Sequence, residues 1–367
     1  MSFSVEDRQY MARAIQLASK GLYTTDPNPR VGCVLVRHGQ IIGEGYHRRA
    51  GEGHAEVNAL QEASDATGST AYVTLEPCSH FGRTPPCAQG LIDAGITRVV
   101  AAMVDPNPQV AGRGLTMLKE AGIDASSGLL CDQAHALNPG FISRMERGRP
   151  YIRLKIATSV DGRTAMASGE SQWITGAHAR ADVQRLRARS SAIVTGVGSV
   201  LQDDSALTVR EEQLPETVKP LTEGHQPLRV VLDSQGRLPT TAKMLTLPGK
   251  TLWVTGQRCA DLNGADQLVL ATNTDGRIDL KALLSYLADQ TSCNEVLVEC
   301  GAELAGAFIQ AGLVDEIVHY MAAKLMGSDA RPMAVMPIDV MQDVVSLSLK
   351  DLRQLGHDIR FTWSVGS

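Results

Sequence analysis

The sequence predicts two consecutive α/β domains, the first built around a metal site. Three observations carry this. The chain has 367 residues, a length for which two domains are the prior, each able to bury its own core. Short apolar runs alternate with helix-like stretches along the whole chain, the pattern of sheets layered with helices. His54, Glu56, Cys78 and Cys87 fall close together early in the chain and offer a metal one imidazole and two thiols. The expected organisation is a three-layer α/β zinc domain over residues 1–148, then a second α/β domain over residues 149–367.

Residues 7–20 carry Met11, Ile15 and Leu17 among several alanines, with Gly21 following. That spacing predicts an amphipathic helix with a glycine stop. Residues 24–30 form a proline-rich loop. Residues 31–36 and 41–46 read as a strand pair turned at His38-Gly39-Gln40. Residues 54–63 read as a helix with His54 and Glu56 at its start. Residues 71–75 are a short buried strand that runs into Glu76-Pro77-Cys78. Residues 86–94 are helix-like, with proline at the opening and Gly95 past the end. A strand over 98–104 and helices over 114–121 and 131–147 complete this half. Pro150 cannot continue a helix, so the boundary falls at Gly148-Arg149-Pro150. No long linker, internal repeat or low-complexity tract is visible.

A His plus two Cys is a borderline-soft donor set that suits Zn²⁺. Three protein ligands leave the fourth tetrahedral position to water, which separates a catalytic site from a closed structural one. Zinc lowers the pKa of such a water towards ~7. Glu56, two residues past His54, then reads as a proton shuttle and not as a ligand. The pattern follows the H-x-E…P-C-x-x-C signature of zinc deaminases, except that eight residues separate Cys78 from Cys87. Helix N-termini at His54 and near Cys87 would face the metal and favour thiolate and carboxylate there. The plainer readings are a closed structural site with His80 as fourth ligand, or two inert buried thiols.

Thr24-Thr25-Asp26-Pro27-Asn28-Pro29, Gly45-Tyr46-His47, His54-Ala55-Glu56, Cys78-Ser79-His80-Phe81-Gly82-Arg83-Thr84-Pro85-Pro86-Cys87 and Asp105-Pro106-Asn107-Pro108 occur in that order. This stretch resembles the deaminase half of the bifunctional riboflavin-biosynthesis deaminase/reductase family, in which the longer spacing between the cysteines is the normal form. The resemblance implies a cytidine-deaminase-like domain with one Zn²⁺ on His54, Cys78 and Cys87 and with Glu56 catalytic. It implies removal of the 2-amino group of 2,5-diamino-6-(5-phosphoribosylamino)pyrimidin-4(3H)-one. Asn28, His47, His80 and Arg83 sit where the family contacts that substrate, including its phosphate. By themselves, Asn28 reads equally as a turn residue before Pro29, and His47 or His80 as a solvated loop histidine. Residues 105–108 line the pocket or form a plain turn.

In the second half, residues 151–158 are strand-like and 159–165 follow as a glycine turn. Ser171-Gln172-Trp173-Ile174-Thr175 leads into a helix over 177–189 that carries Arg180, Arg185, Arg187 and Arg189. Strands are expected at 192–195, 228–232, 251–255, 295–299 and 316–321. The first ends in Gly196-Val197-Gly198-Ser199 and the second in Asp233-Ser234. The strand at 295–299 runs into Gly301-Ala302-Glu303-Leu304-Ala305-Gly306-Ala307 and a helix to about residue 311. A glycine turn between strand and helix lets backbone N–H groups bind a phosphate. The Gly301 segment is the better candidate and Gly196 to Ser199 the second. Neither matches G-x-G-x-x-G, so neither supports a Rossmann reading.

Ser159-Val160-Asp161-Gly162-Arg163, Gln172-Trp173-Ile174-Thr175, Asp203-Asp204-Ser205-Ala206-Leu207-Thr208-Val209-Arg210 and Glu299-Cys300-Gly301 resemble the reductase half of the same family, whose fold is dihydrofolate-reductase-like. The resemblance thus covers nearly the whole chain, with a gap at 211–226 that reads as a loop. It implies NADPH reduction of the ribosyl group to ribityl. By position, Ala157, Trp173, Ser199, Asp203, Ser234 and residues 301–307 match cofactor contacts. Ser171, Arg187, Leu207, Arg210 and Glu299 match substrate contacts. Lys155 and Asp203 are the candidates for polarising the sugar or moving protons. The plain alternatives are a solvated helix face for Arg187 and a snorkelled edge lysine for Lys155.

The formal charge of −5 argues against a nucleic-acid footprint, which matters because some zinc deaminases edit RNA or DNA. No apolar run approaches the ~18 residues of a membrane span, and no N-terminal apolar targeting region is seen. Seven scattered cysteines, an odd number, suit a reduced, cytoplasmic protein. The expected partner is a small phosphorylated pyrimidine, with a homo-oligomer, dimer or tetramer, as the assembly. Two rivals stand beside this reading. One is a nucleoside or tRNA deaminase with a non-catalytic C-terminal domain. The other is a zinc-stabilised module whose second domain senses nucleotides.

Overall fold

The computed structural model describes residues 3–79, 85–108 and 110–366. It divides into two compact units, Met1–Gly148 and Arg149–Ser367. The first contains α1 (Val5–Ser19), β1 (Gly32–Arg37), β2 (Gln40–Tyr46), α2 (Ala55–Glu62), β3 (Thr70–Val73), α3 (Cys87–Asp93), β4 (Arg98–Ala101), α4 (Arg113–Glu120), β5 (Asp124–Ser127), α5 (Cys131–Leu137) and α6 (Pro139–Arg147). Its sheet runs β2-β1-β3-β4-β5. The first three strands are antiparallel neighbours and the last three parallel.

Alternation along β1 makes this unit three-layered. Cys33 and Leu35 point into a core shared with Ala59 of α2, Leu91 of α3 and Leu118 of α4. Val34 and Val36 point into a second core with Met11 of α1, Ala134 of α5 and Phe141 of α6. Each large side chain so buried contributes about 1.5–3 kcal/mol. α1 starts at Val5, earlier than the apolar spacing suggested, because Ser4 caps it. Asp7 N donates to Ser4 Oγ at 3.0 Å and Ser4 N to Asp7 Oδ2 at 2.9 Å, a reciprocal capping box. α2 lies directly on β2: a Cβ at Gly45 would stand 2.2 Å from Ala55 O and 2.4 Å from Ala59 N. That close approach seats His54, the N-cap residue of α2.

The single helix expected over 131–147 is two helices. Pro139 offers no N–H and disfavours helical backbone in the residue before it. Asn138 accordingly sits at φ −125°, ψ 43°. Its amide bridges Arg30 instead, accepting from Arg30 N at 2.7 Å and donating to Arg30 O at 2.9 Å. The break turns α6 independently of α5.

The second unit contains β6 (Tyr151–Ser159), β7 (Arg163–Ala165), α7 (Ala177–Ala188), β8 (Ala192–Gly196), α8 (Val197–Asp203), α9 (Lys219–Thr222), β9 (Leu228–Leu232), β10 (Thr251–Thr255), β11 (Asp266–Val269), α10 (Leu280–Asp289), β12 (Glu295–Glu299), α11 (Ala302–Gln310), β13 (Glu316–Ala322), β14 (Arg331–Pro332), β15 (Leu347–Leu355) and β16 (Asp358–Val365). Nine strands form one sheet in the order β11-β10-β9-β8-β12-β6-β13-β16-β15. The first seven are parallel, and β16 and β15 close the sheet as an antiparallel hairpin. α10 and α11 cover one face with Leu283, Leu287 and Phe308. α7 and α8 cover the other with Val183, Leu186 and Val200.

Three expectations are corrected here. Gly196 to Ser199 is not a glycine turn; β8 ends at Gly196, and residues 197–203 continue as α8. The 159–165 turn ends in a short strand, β7, paired with β14. Lys155 is no edge residue, because β6 lies inside the sheet between β12 and β13.

Candidate active sites

In the first unit, β1 and β3 bring the proline-rich loop, α2 and the Cys78 segment to one end of the sheet. His54 Nδ1 stands 3.7 Å from Cys78 Sγ and 3.3 Å from Cys87 Sγ. The three donor atoms lie within 4.8 Å of one another. Zn–S of about 2.3 Å and Zn–N of about 2.0 Å at tetrahedral angles give an S···N edge of about 3.5 Å, so the donors already outline one face of a zinc tetrahedron. Cys87 N donates to Cys78 Sγ at 3.2 Å. The hydrogen bond between the two thiols, with the His54 ring, lowers the Cys78 thiol against its burial. Cys87 is held above its usual range by the same bond. Two sulfurs and an imidazole nitrogen this close together are a donor set that a divalent cation would satisfy. Burial, and then the Cys78 charge, push the carboxyl of Glu56 up to about 7. Glu56 is buried at the start of α2, beside the triad.

A cavity of about 280 Å³ opens over these groups, with Asn28, His47, His54, Glu56 and Cys78 in its wall. His47 Nδ1 faces Gly53 O at 3.2 Å. A carbonyl only accepts, so that nitrogen carries the proton, and Nε2 accepts from Asn28 Nδ2 at 3.2 Å. Burial lowers the His47 pKa, in keeping with a neutral ring. His80 and Arg83, the other expected substrate contacts, lie outside the described residues.

Sequence reading missed Glu76. Its carboxylate is buried and accepts four backbone N–H groups: Gly112 at 2.8 Å and Asp105 at 3.1 Å on Oε2, Gly114 at 2.8 Å and Leu115 at 3.1 Å on Oε1. This ties the Cys78 strand end to the loop before α4. A Cβ at Gly114 would stand 1.9 Å from Pro77 O, so the two segments touch backbone to backbone. The loop's Asp105 and Asn107 line the cavity. So do Phe141, Arg144 and Met145 of α6, which no motif marked.

In the second unit the sheet order β9-β8-β12-β6 gathers the C-terminal ends of parallel strands. Ser234 follows β9, α8 carries Ser199 and Asp203 one turn apart after β8, and Glu299 ends β12 just before Gly301. Lys155 is paired in register with Glu299, and Ala157 lies two residues on, on the same face of β6. Such a strand-end crevice is where open α/β sheets hold ligands. Arg187 forks onto Glu299, Nε to Oε1 at 2.6 Å and Nη2 to Oε2 at 3.0 Å, and Nη1 reaches Thr208 O at 2.9 Å. It is 11% exposed, not on a solvated helix face. Burial raises the Glu299 carboxyl, but Arg187, Lys155 and Arg210 more than offset this and hold it below its usual range. Burial lowers the Lys155 ammonium.

Gly301 is the N-cap of α11 and no side chain caps that helix. A Cβ at Gly301 would meet nothing within 4 Å. The first-turn amides are therefore open to a phosphate. Trp173 is 57% exposed, with Arg180 4.6 Å over its ring and Lys324 Nζ donating to its carbonyl at 2.7 Å. Leu207 is buried at φ 49°. Arg210 N donates to Gln184 Oε1 at 3.0 Å. Ser171 lies in the loop before α7, and the structure joins it to no other site residue through a hydrogen bond among the described residues.

Residues 4–103 match the family model of the cytidine and deoxycytidylate deaminase zinc-binding region, and residues 150–361 match the RibD C-terminal domain. Fold and site thus define a zinc-binding deaminase unit followed by a reductase unit. The riboflavin biosynthesis protein RibD of Escherichia coli K12 is 52% identical over 97% of this chain and 98% of its own length. The structure of Acinetobacter baumannii RibD superposes with a TM-score of 0.91 at 48% identity, covering 99% of both chains. A Thermotoga maritima structure described as a diaminohydroxyphosphoribosylaminopyrimidine deaminase/5-amino-6-(5-phosphoribosylamino)uracil reductase superposes at 0.86 with 30% identity, covering 98% of this chain and 99% of that one. The chain belongs to the RibD family of bifunctional riboflavin-biosynthesis enzymes. The match over 150–361 counts against a non-catalytic C-terminal domain. No helix among the described residues is long and apolar enough to cross a membrane.

Proposed function

We propose that Met1–Gly148 deaminates 2,5-diamino-6-(5-phosphoribosylamino)pyrimidin-4(3H)-one and that Arg149–Ser367 reduces the ribosyl group of the product to ribityl with NADPH. The observation that carries the first step is the His54, Cys78 and Cys87 face set beside Glu56 in the cavity wall. Zn²⁺ on those ligands supplies a Lewis acid and a water of lowered pKa. Glu56 would be the proton carrier, its carboxylate accepting protons one at a time from the attacking water and passing one to the ring nitrogen and one to the departing ammonia. The amide of Asn28 is turned by His47, which leaves its Oδ1 to accept from the pyrimidine's N–H groups.

For the second step NADPH supplies the hydride. Residues 301–307 and Ser234 hold the cofactor's phosphates and ribose, with Ala157, Trp173, Ser199 and Asp203 completing its contacts. Lys155 places its ammonium at the reacting end of the sugar, and Asp203 is the second candidate for proton transfer. Arg187 is committed to Glu299 and Thr208, so it acts by fixing Glu299 as an acceptor for the sugar hydroxyls. Arg210, Leu207 and Ser171 take the rest of the substrate.

A second copy of the chain is expected on the C-terminal hairpin. β15 is an edge strand, and its Leu347, Leu349 and Leu352 are 39, 53 and 54% exposed. An unpaired apolar edge of this kind calls for a partner, and the sedimentation mass tests it. All seven cysteines are free thiols, in keeping with a cytoplasmic setting. The test of function is a coupled assay with metal counted. Ammonia release from the diaminopyrimidine, then NADPH oxidation that depends on the deaminated product, is expected. Ammonia without NADPH oxidation refutes the reductase half, and neither signal with zinc present leaves only a structural zinc site.

A further inference from the structure

The Ser159-Val160-Asp161-Gly162-Arg163 turn follows β6, and no residue of it takes part in either proposed step. Its bonds run to one place, the loop after β13. Asp161 Oδ1 accepts from Met326 N at 3.1 Å and Oδ2 from Gly327 N at 2.8 Å. Val160 N donates to Lys324 O at 2.8 Å, and Arg163 Nη1 reaches Ala330 O at 3.2 Å. The turn therefore fixes the backbone of Lys324 where β6 and β13, parallel neighbours, both end. From there Lys324 Nζ donates to Trp173 O at 2.7 Å.

Trp173 needs such a hold. It is 57% exposed, so apolar packing does not set the indole. What holds it is polar. Arg180 lies 4.6 Å over the ring, and its Nη1 donates to Thr175 O at 2.7 Å. Earlier in the same loop, Gln202 Nε2 donates to Gly169 O, while Arg331 Nη1 donates to Gln202 Oε1 at 3.2 Å. Gln202 belongs to α8, which follows β8 directly. In the sheet, β12 and β6 stand between β8 and β13. The loop is thus anchored on both sides of the two strands that carry Glu299 and Lys155.

Resting on the reductase reading above, in which Trp173 contacts NADPH, we propose that Lys324 is a positioning residue of the reductase unit, holding the Trp173 backbone so that the indole is in place for the cofactor. The turn over residues 159–163 is the brace behind Lys324, and Gln202 anchors the far end of the loop. A lysine suits this task because its ammonium is a donor only and a backbone carbonyl is an acceptor only.

The test is a fluorescence titration of the full chain with NADPH, for the wild type, Lys324→Met, Lys324→Arg and Trp173→Phe. Transfer of excitation energy from tryptophan to bound NADPH reads where the indole stands. The difference between the wild type and Trp173→Phe is the part owed to Trp173. Lys324→Met is expected to raise the Kd for NADPH about 3- to 10-fold. At saturating NADPH it should still lack most of the Trp173 part of the transfer, and Lys324→Arg should recover some of both. Urea midpoints should stay within about 0.5 M of wild type; a larger drop in Lys324→Met makes Lys324 a structural residue and overturns the proposal. An unchanged Trp173 part of the transfer in saturated Lys324→Met overturns it too, even with a raised Kd, since Lys324 then acts through its charge alone. Equal transfer in the wild type and Trp173→Phe is a different result: it removes Trp173 from the cofactor contacts and so strikes the reading on which the proposal rests.

Discussion

Replacing Glu76 by Gln tests whether one carboxylate holds the cavity wall to the zinc segment. Each carboxylate oxygen accepts two backbone N–H groups, at 2.8 and 3.1 Å. In glutamine one oxygen becomes an NH₂. Whichever way it turns, two buried N–H groups then face a donor, and the other pair loses a charged acceptor. Hydrogen bonds to charged groups are worth about 1.5–3 kcal/mol each. Bonds sharing one carboxylate are not additive, so two lost and two weakened come to about 4 kcal/mol. With a urea slope of about 2 kcal/mol per M, the midpoint moves down by about 2 M. The assay follows zinc release against urea with a chromophoric chelator, which reports the first unit alone. KM for the pyrimidine should rise as well, because Asp105 and Asn107 move with the loop, and zinc bound in the absence of urea should stay near one per chain. A midpoint within about 0.5 M of wild type would refute the reasoning and reduce Glu76 to a replaceable buried polar group.

Glu56→Gln should retain zinc and lose ammonia release by about a thousandfold, whereas Cys87→Ala should lose the metal and lower the stability of the first unit; metal analysis beside activity separates the two. Arg187→Met leaves the Glu299 carboxylate buried without its fork, at a cost of about 3 kcal/mol, the lower end for a broken buried pair because Lys155 stands beside it. Reductase activity should fall while ammonia release persists. The hydrogen bond from Arg98, with one from Tyr72, holds Asp7 well below its ordinary 3.8 despite burial. The unfolded chain therefore takes up this proton first, and the stability Asp7 gives is full above about pH 4 and lost progressively below it. Wild type and Asp7→Asn should differ in urea midpoint at pH 7 and converge as the pH is lowered towards 2; a constant gap would refute the linkage.

The zinc face was legible because its chemistry is local. His54, Glu56, Cys78 and Cys87 lie on two strand-to-helix junctions, and few other uses explain that donor set at that spacing. The strands of both sheets were legible wherever a short apolar run met a turn signal, as at 228–232 and 295–299. The hairpin of β15 and β16 was not, because Leu347, Leu349 and Leu352 of β15 stay exposed among charges such as Lys350, Asp351 and Arg353. α10 and β11 carried no motif and went unread. Glu76 was hidden for a different reason: its four donors are backbone amides 29 to 39 residues away, and backbone amides leave no mark in a sequence. Arg144 was hidden because only the break at Pro139 aims α6 at the cavity. Resemblance supplied the reductase residues; spacing alone could not, since the sheet interleaves β12 between β6 and β8 against chain order.

That interleaving leaves a physical signature at Lys155. β6 carries two cations on one face, Arg153 and Lys155. Arg153 is buried and bonded to Glu295 and to Glu316 Oε1 at 2.7 Å, and Arg189 reaches the same Glu295 at 3.1 Å. This network at the beginning of the strands is closed: each charge there meets an opposite one, which is what burial requires. One pleat further on, Lys155 is half-buried, and no hydrogen bond or ion pair within 4 Å holds its ammonium among the described residues. Its nearest acid, Glu299, is already forked by Arg187. A structural lysine in an interior strand would be expected to share the carboxylate, as Arg153 does. Keeping Glu299 saturated by Arg187 instead leaves the Lys155 protons uncommitted at the strand-end crevice and makes the ammonium easier to deprotonate through burial. A desolvated, uncommitted cation costs the fold stability, and a cost of this kind persists where chemistry uses the group. The contrast between the two ends of β6 therefore supports the proposed role of Lys155, setting a closed ion-pair network at one end against an uncommitted ammonium at the other.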